Sequence, residues 1–183
     1  MTLLERAQQQ YGYLTPDDAR ELRVDPTQLR LMAARHTLEH VGHGLYRMPM
    51  VPVTQLDAYM EAVLWTGRRG VLSHETALDL YELCDVNPSA IRLTVPSGFR
   101  TRKAVPEIYR LHRFDLDPAE VGWHEGLPIV TPERAILGGI EQALGWQLID
   151  QAVETARARG LITKPAGNRL AALRHLPQVP RGA

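Results

Sequence analysis

Two helix-start signals, Thr15-Pro16-Asp17-Asp18 and Asp25-Pro26, stand ten residues apart near the start of this chain. In each, a side chain able to cap a helix precedes a proline at the first helical position, where its missing N–H costs nothing. Asp17 and Asp18 add negative charge at the positive end of the dipole, and Asp18 stands where a capping box needs its acceptor. Leu14 can staple onto Ala19, and Val24 onto Leu29. The first of these helices must therefore be short, ending near Leu22-Arg23, and the second restarts at once and runs to about His36. Leu3, Leu4, Ala7 and Tyr11 recur at helical spacing and predict a helix before both.

Two helices joined by so few residues describe a helix-turn-helix. The stretch from Leu38 to Met48 alternates on both sides of the glycine-bearing turn Gly42-His43-Gly44, which predicts a β-hairpin. Three helices and a hairpin make a winged helix-turn-helix. On the third helix Leu29 and Ala33 share a face with Met32 beside them, so that face should be buried. The opposite face carries Thr27, Gln28, Arg30, Leu31, Ala34 and Arg35. A recognition helix enters the major groove with its N-terminal half. Gln28 can pair with adenine, and Arg30 with guanine or a phosphate, while Arg35 is placed to meet the backbone. In the hairpin, His43 and Arg47 could touch phosphate or the minor groove. Solvated helix arginines without a ligand would leave the same pattern.

Met48-Pro49-Met50-Val51-Pro52-Val53 is the strongest boundary signal, because two prolines three apart disfavour helix. It divides the chain into residues 1–50, the winged helix-turn-helix, and residues 51–183. In the second part, helices are expected around Leu56–Leu64, after Ser73, from Thr131-Pro132-Glu133 to Leu144, from Trp146 to Arg159, and from Thr163 to Leu173. Extended pieces are expected at Val71-Leu72, Ile91–Val95, Ile108–Arg113 and around Trp123–Val130. Helices flanking a small, mostly antiparallel sheet give an α+β domain. Pro177–Ala183 should form a frayed tail.

The chain has 183 residues, 21 basic and 21 acidic, with 44% apolar content, which excludes disorder along its whole length. No apolar run reaches the roughly 18 residues of a membrane span. The polar start, Met1-Thr2-Leu3-Leu4-Glu5-Arg6, lacks a signal-peptide core, and Cys84 is the one cysteine. A cytoplasmic protein is the expectation. Of the basic residues only Lys103 and Lys164 are lysine. Arginine suits bidentate contacts to phosphate and guanine, although a GC-rich genome imposes the same bias.

Zero net charge argues against a protein that binds nucleic acid over its whole surface. Residues 1–50 are themselves balanced, with six basic and six acidic residues. Most of those acids lie in or before helix starts, and Arg30, Arg35 and Arg47 fall on the third helix and hairpin. The expected DNA footprint is small and local, weak for one monomer and strengthened by several copies on repeated sites. From Arg92 to Arg113 six basic residues, Arg92, Arg100, Arg102, Lys103, Arg110 and Arg113, face only Glu107, a local charge of +5. The loop carrying Arg100, Arg102 and Lys103 should join two strands, and with Arg110 and Arg113 it could grip nucleic acid or an acidic partner.

Catalytic patterns are missing from the sequence, and no cofactor or metal is expected. Ser73-His74-Glu75 is contiguous, so its side chains should diverge on a helix and form no triad. Glu75 and Asp79 share a helix face but lack metal-ligand company, and no glycine-rich phosphate loop or HExxH occurs.

The chain resembles the AbiEi family, the antitoxins of type IV toxin–antitoxin systems, and its transcriptional-regulator relatives. The resemblance rests on Gly12-Tyr13-Leu14-Thr15, Gly42-His43-Gly44-Leu45-Tyr46-Arg47, Val71-Leu72-Ser73-His74-Glu75-Thr76-Ala77 and Leu93-Thr94-Val95-Pro96. It continues in Gly126 to Arg134 and Arg159-Gly160-Leu161-Ile162-Thr163. It implies a repressor that binds inverted repeats in its own promoter and counteracts a nucleotidyltransferase-like toxin. Such a protein is not an enzyme. A stand-alone regulator, or a protein-interaction module that touches no DNA, is the alternative. The chain departs from the family pattern at Gly138-Gly139, where relatives tend to carry a polar residue and leucine. Two glycines inside a helix cost roughly 1 kcal/mol each relative to alanine, which predicts a bend or a close approach there.

Overall fold

A computed structural model gives the fold, and residues 1–42 and 44–173 are described; His43 and the expected tail Pro177–Ala183 lie outside the described residues. The chain is mixed α+β and packs as two compact units, one of residues 1–68 with 125–127 and one of the remainder. The boundary expected after residue 50 therefore moves to Arg68. The reason is electrostatic as well as apolar: Arg47 is buried against Asp57 at 3.2 Å, and the Tyr13 hydroxyl donates to Glu61 at 3.0 Å. These contacts bind residues 51–68 to the first unit.

In the first unit α1 (Leu3–Gln9), β1 (Tyr13–Leu14), α2 (Pro16–Glu21) and α3 (Thr27–Ala34) precede β2 (Glu39–Gly42), β3 (Leu45–Arg47) and α4 (Asp57–Trp65). Three helices and a hairpin thus occur in the expected order. The short strand β1 has no counterpart in the sequence reading. It pairs antiparallel with β3, Tyr13 opposite Arg47, so the sheet runs β1-β3-β2. Leu14, Ala19, Leu29, Leu38, Tyr46 and Met48 form the core, with Val24, Met32 and Ala33 packed on it. Both anticipated staples, Leu14 with Ala19 and Val24 with Leu29, bring their residues into that one cluster. α3 starts one residue later than expected, with Pro26 rather than Asp25 at the N-cap position, and the Asp25 carboxylate accepts the Thr27 N–H at 2.8 Å just ahead of it.

After Arg68 come β4 (Val71–Leu72), α5 (His74–Leu80), β5 (Ile91–Val95), β6 (Tyr109–Arg113), β7 (Val121–His124), β8 (Leu127–Val130), α6 (Pro132–Glu141), α7 (Trp146–Ala158) and α8 (Lys164–Ala172), all in the second unit except Leu127. The sheet order is β6-β5-β4-β8-β7. Glu125 and Gly126, both at positive φ, make the tight turn between β7 and β8. The expectation of a mostly antiparallel sheet is corrected. β5 runs parallel to β6 and β4 parallel to β8, while β4 and β5 are antiparallel. Residues 96–108 return the chain from the end of β5 to the start of β6, which is the length a parallel crossover needs. Among the described residues no helix is long and apolar enough to cross a membrane.

Gly138 and Gly139 serve close packing of α6. A Cβ at Gly138 would stand 3.0 Å from the His74 ring, and one at Gly139 would stand 3.1 Å from Ile149. The His74 ring cannot retreat, because it stacks on His112 with ring centroids 3.8 Å apart. Gly138→Ala should therefore destabilise the protein by about 1 to 3 kcal/mol, since overpacking outweighs the gain in helix propensity. Urea denaturation measures this, and an unchanged midpoint would refute the packing role.

Candidate nucleic-acid interface

The surface of α3 depends on how its unit is fastened together, with Leu29 in one core with Ala7 of α1 and Ala19 of α2. Asp18 is fully buried and is the hub of that fastening. Its Oδ2 accepts from the Thr15 N–H at 2.8 Å and the Thr15 hydroxyl at 2.6 Å, and the Thr15 Oγ accepts the Asp18 N–H in return. Its Oδ1 meets Arg6 of α1 at 2.9 Å and Arg68, beyond α4, at 2.6 Å. Burial pushes the Asp18 carboxyl up, but the Thr15 hydroxyl and Arg68 outweigh it and hold the group below its ordinary value.

With Leu29 fully buried beneath, Thr27, Gln28, Arg30, Leu31, Ala34 and Arg35 are all exposed, as the helical spacing predicts. The other arginines of the unit are mostly spoken for. Arg6 and Arg68 meet Asp18, Arg20 pairs with Asp17, and Arg47 pairs with Asp57. Among the described residues, Arg23, Arg30 and Arg35 are the arginines of residues 1–68 without an ion pair, and two of the three lie on or just after α3. The balanced charge of residues 1–50 therefore conceals cations without an ion pair at the helix face.

Arg47 does not belong to that surface, contrary to the sequence reading. It is 9% exposed, and its guanidinium donates to the Val51 carbonyl at 2.9 Å and to Asp57. Asp57, which opens α4, lies ten residues away and draws the side chain inward. His43 lies outside the described residues. The rest of the hairpin offers Glu39, His40 and Val41 to solvent, and His40 leans on Tyr46.

In the second unit Arg100, Arg102, Lys103, Arg110 and Arg113 are all exposed, the first three in the β5–β6 crossover and the last two on β6. Arg92, counted with them in the local charge, instead pairs with Glu75.

A buried polar cluster in this unit escaped the sequence reading. Ser73 and His74 do not diverge: the Ser73 hydroxyl meets His74 Nδ1 at 2.8 Å, and Thr94 donates to Ser73 at 2.9 Å. This is possible because His74 takes a left-handed backbone, φ +53°. Glu75 turns away to Arg92, so the three residues form no relay. Burial, then the neighbouring His112, Arg134 and Arg92, push His74 down to about 2. Burial, Arg92 and Arg134 push His112 down to about 4. The double glycine signalled close packing, but nothing local named His74 and His112 as its beneficiaries. Among the described residues no cluster of histidine, cysteine or acidic side chains is placed to hold a metal ion.

No protein-family profile matches the chain, and no curated protein matches it in sequence. Its fold is similar to that of the crystal structure of the RV2827C protein from Mycobacterium tuberculosis. The TM-score is 0.59 at 16% identity, over 96% of this chain and 71% of that one. The likeness is one of fold.

Two predictions follow from the geometry. Arg47→Ala should cost about 3 to 5 kcal/mol by leaving Asp57 buried and unpaired, whereas Arg30→Ala and Arg35→Ala should each stay within about 0.5 kcal/mol of the parent. Equal costs in chemical denaturation would show that the inward and outward arginines are not distinguished in this way. The second concerns acid. Both histidines are depressed from 6.5, so the unfolded chain binds more protons than the folded one below that pH. Stability present above about pH 6.5 should be lost progressively as pH falls toward 4 and below. His112→Gln should flatten that slope in a series of urea titrations across the pH range.

Proposed function

We propose that residues 1–50 act as a winged helix-turn-helix, with α3 as the recognition helix and the β2–β3 hairpin as the wing. α4 and the rest of residues 51–68 brace that head from within the same compact unit. The protein on this reading is a cytoplasmic DNA-binding repressor of its own promoter. The observation that carries the reading is the distribution of ion pairs: Arg30 and Arg35 stand exposed and without an ion pair on the outer face of α3 beside Gln28, while Arg6, Arg47 and Arg68 are engaged by the buried acids Asp18 and Asp57. An exposed cation not held in an ion pair is free to displace counterions from a phosphate backbone. Gln28 and Arg30 occupy the N-terminal half of the helix, the half that reaches base edges in the major groove.

The resemblance to AbiEi antitoxins extends the proposal to a partner. The second unit would then counteract a nucleotidyltransferase-like toxin, with no catalysis of its own. Binding to inverted repeats by monomers that cooperate on DNA suits a footprint with so few free arginines.

Purified protein should retard a fragment of its own promoter, with affinity falling steeply as salt rises. Arg30→Ala combined with Arg35→Ala should lower affinity at least tenfold and reduce the log–log salt slope by about 2, one for each lost phosphate contact. Retardation unaltered by the double variant sinks the assignment of α3. Coexpression with an adjacent nucleotidyltransferase-like gene tests the antitoxin role, and toxicity that this chain leaves unrelieved favours a stand-alone regulator.

A further inference from the structure

We propose that the free edge of β6 is a docking site for an extended acidic segment of a protein partner, which adds to the sheet as a further strand. β6 ends the sheet order, so among the described residues no strand lies on its far side. The N–H of Ile91 donates to Ile108, and that of Phe114 donates to Val95. Backbone direction alternates along a strand, so Arg110 and His112 also face β5, whereas Leu111 and Arg113 turn N–H and C=O outward. Pairing with β5 is continuous from Tyr109 to Arg113, without a bulge.

Natural edge strands are blunted by bulges, by proline or by charge alone. This edge has charge, but large apolar side chains frame it. Ile108 is 55% exposed, Val105 43% and Phe114 39%. Phe114 also carries the Arg134 guanidinium on its ring, but a purely protective edge, or one meant for phosphates, has no use for Ile108 and Val105. Arg110 and Arg113 are exposed, with Arg100, Arg102 and Lys103 in the adjoining crossover, and Glu107 is the one acid between Arg92 and Phe114. An acidic partner is what such a field attracts.

Register sets the motif. His112 stacks on His74 of α5, so Arg110, Ile108 and Phe114 share that face of the sheet, while Arg113 lies on the other. Residues directly opposite across paired strands point to the same face. The incoming strand therefore needs acids opposite positions 110 and 113, and apolar residues opposite 108 and 114. A parallel segment meets this as Val-Thr-Glu-Thr-Thr-Glu-Val and an antiparallel one as Val-Glu-Thr-Thr-Glu-Thr-Val. Main-chain hydrogen bonds give such strand addition its affinity, and the alternate side chains give specificity.

Those two peptides, titrated against the full chain with amide hydrogen exchange as readout, test the proposal. One of them should slow exchange at Leu111 and Arg113 at least tenfold. N-methylation of the peptide's edge-facing amides should abolish the effect. Arg110→Glu combined with Arg113→Glu should weaken binding at least tenfold, and the same peptide with lysine for glutamate should restore it. These variants leave α3 untouched and should retard promoter DNA like the parent, so the test stands apart from the DNA-binding reading. No protection by either peptide overturns the proposal. So does binding of a duplex oligonucleotide at Arg110 and Arg113 in place of the peptides, which would make the edge a nucleic-acid contact.

Discussion

One fully buried carboxylate organises the first unit. Asp18 caps its own helix through Thr15 and takes Arg6 from α1 and Arg68 from beyond α4, while Gln10 donates to its second oxygen at 3.2 Å. A buried carboxylate unpaired with cations would be costly, and one with a single partner would still leave lone pairs unmet. Here every approach to it is occupied, and the elements supplying the donors are fixed relative to α2. The start of α3 follows within a few residues of the end of α2, so the placement of Asp18 also fixes which way the α3 surface turns.

The same arrangement sorts the arginines. Buried acids at Asp18 and Asp57 each claim cations, and the exposed Asp17 claims Arg20. Arg30 and Arg35 lie on the face opposite Leu29 and make no ion pair among the described residues; Asp25 acts on Arg30 only at longer range. Asp25 is closest in sequence, but its carboxylate is engaged by the Thr27 N–H, which holds it below the ordinary carboxylate range. Net charge is therefore a poor guide to where a neutral domain can bind an anion. What matters is which charges are paired.

Local chemistry made much of this legible in the sequence. The cap at Thr15, the staples, the hairpin and the exposed side of α3 depend on residues within a turn or two of one another and appear where spacing places them, while α3 starts one residue later than its Asp25-Pro26 signal predicts. What the sequence hid depends on distant partners. β1 is two residues long and exists because β3 lies beside it, so no alternation could announce it. Arg47 has the same local pattern whether it points to solvent or to Asp57. The direction of β5 relative to β6 is decided by the path of the crossover, which has no helical periodicity to betray its return. Ser73-His74-Glu75 looked like three diverging helix residues because a left-handed histidine at a helix start has no signature in composition.

The buried cluster of the second unit shows why glycine, not alanine, stands at position 138. His74 and His112 lie close to Arg92 and Arg134, and two further charges there would be repelled as well as desolvated. The histidines therefore stay neutral and stack, and the carboxylates of Glu75, Glu120 and Glu141 are left to the arginines. Neutral rings have little Coulombic hold on their position, so it must come from shape and from the bond to Ser73. A side chain on α6 at this point would push into the ring pair, and the hydroxyl network of Ser73 and Thr94 would have to move with it. The glycine pair at positions 138 and 139 is thus tied to a particular way of seating α6 on α5, and the outer edge of β6 is the far side of the strand that supplies His112.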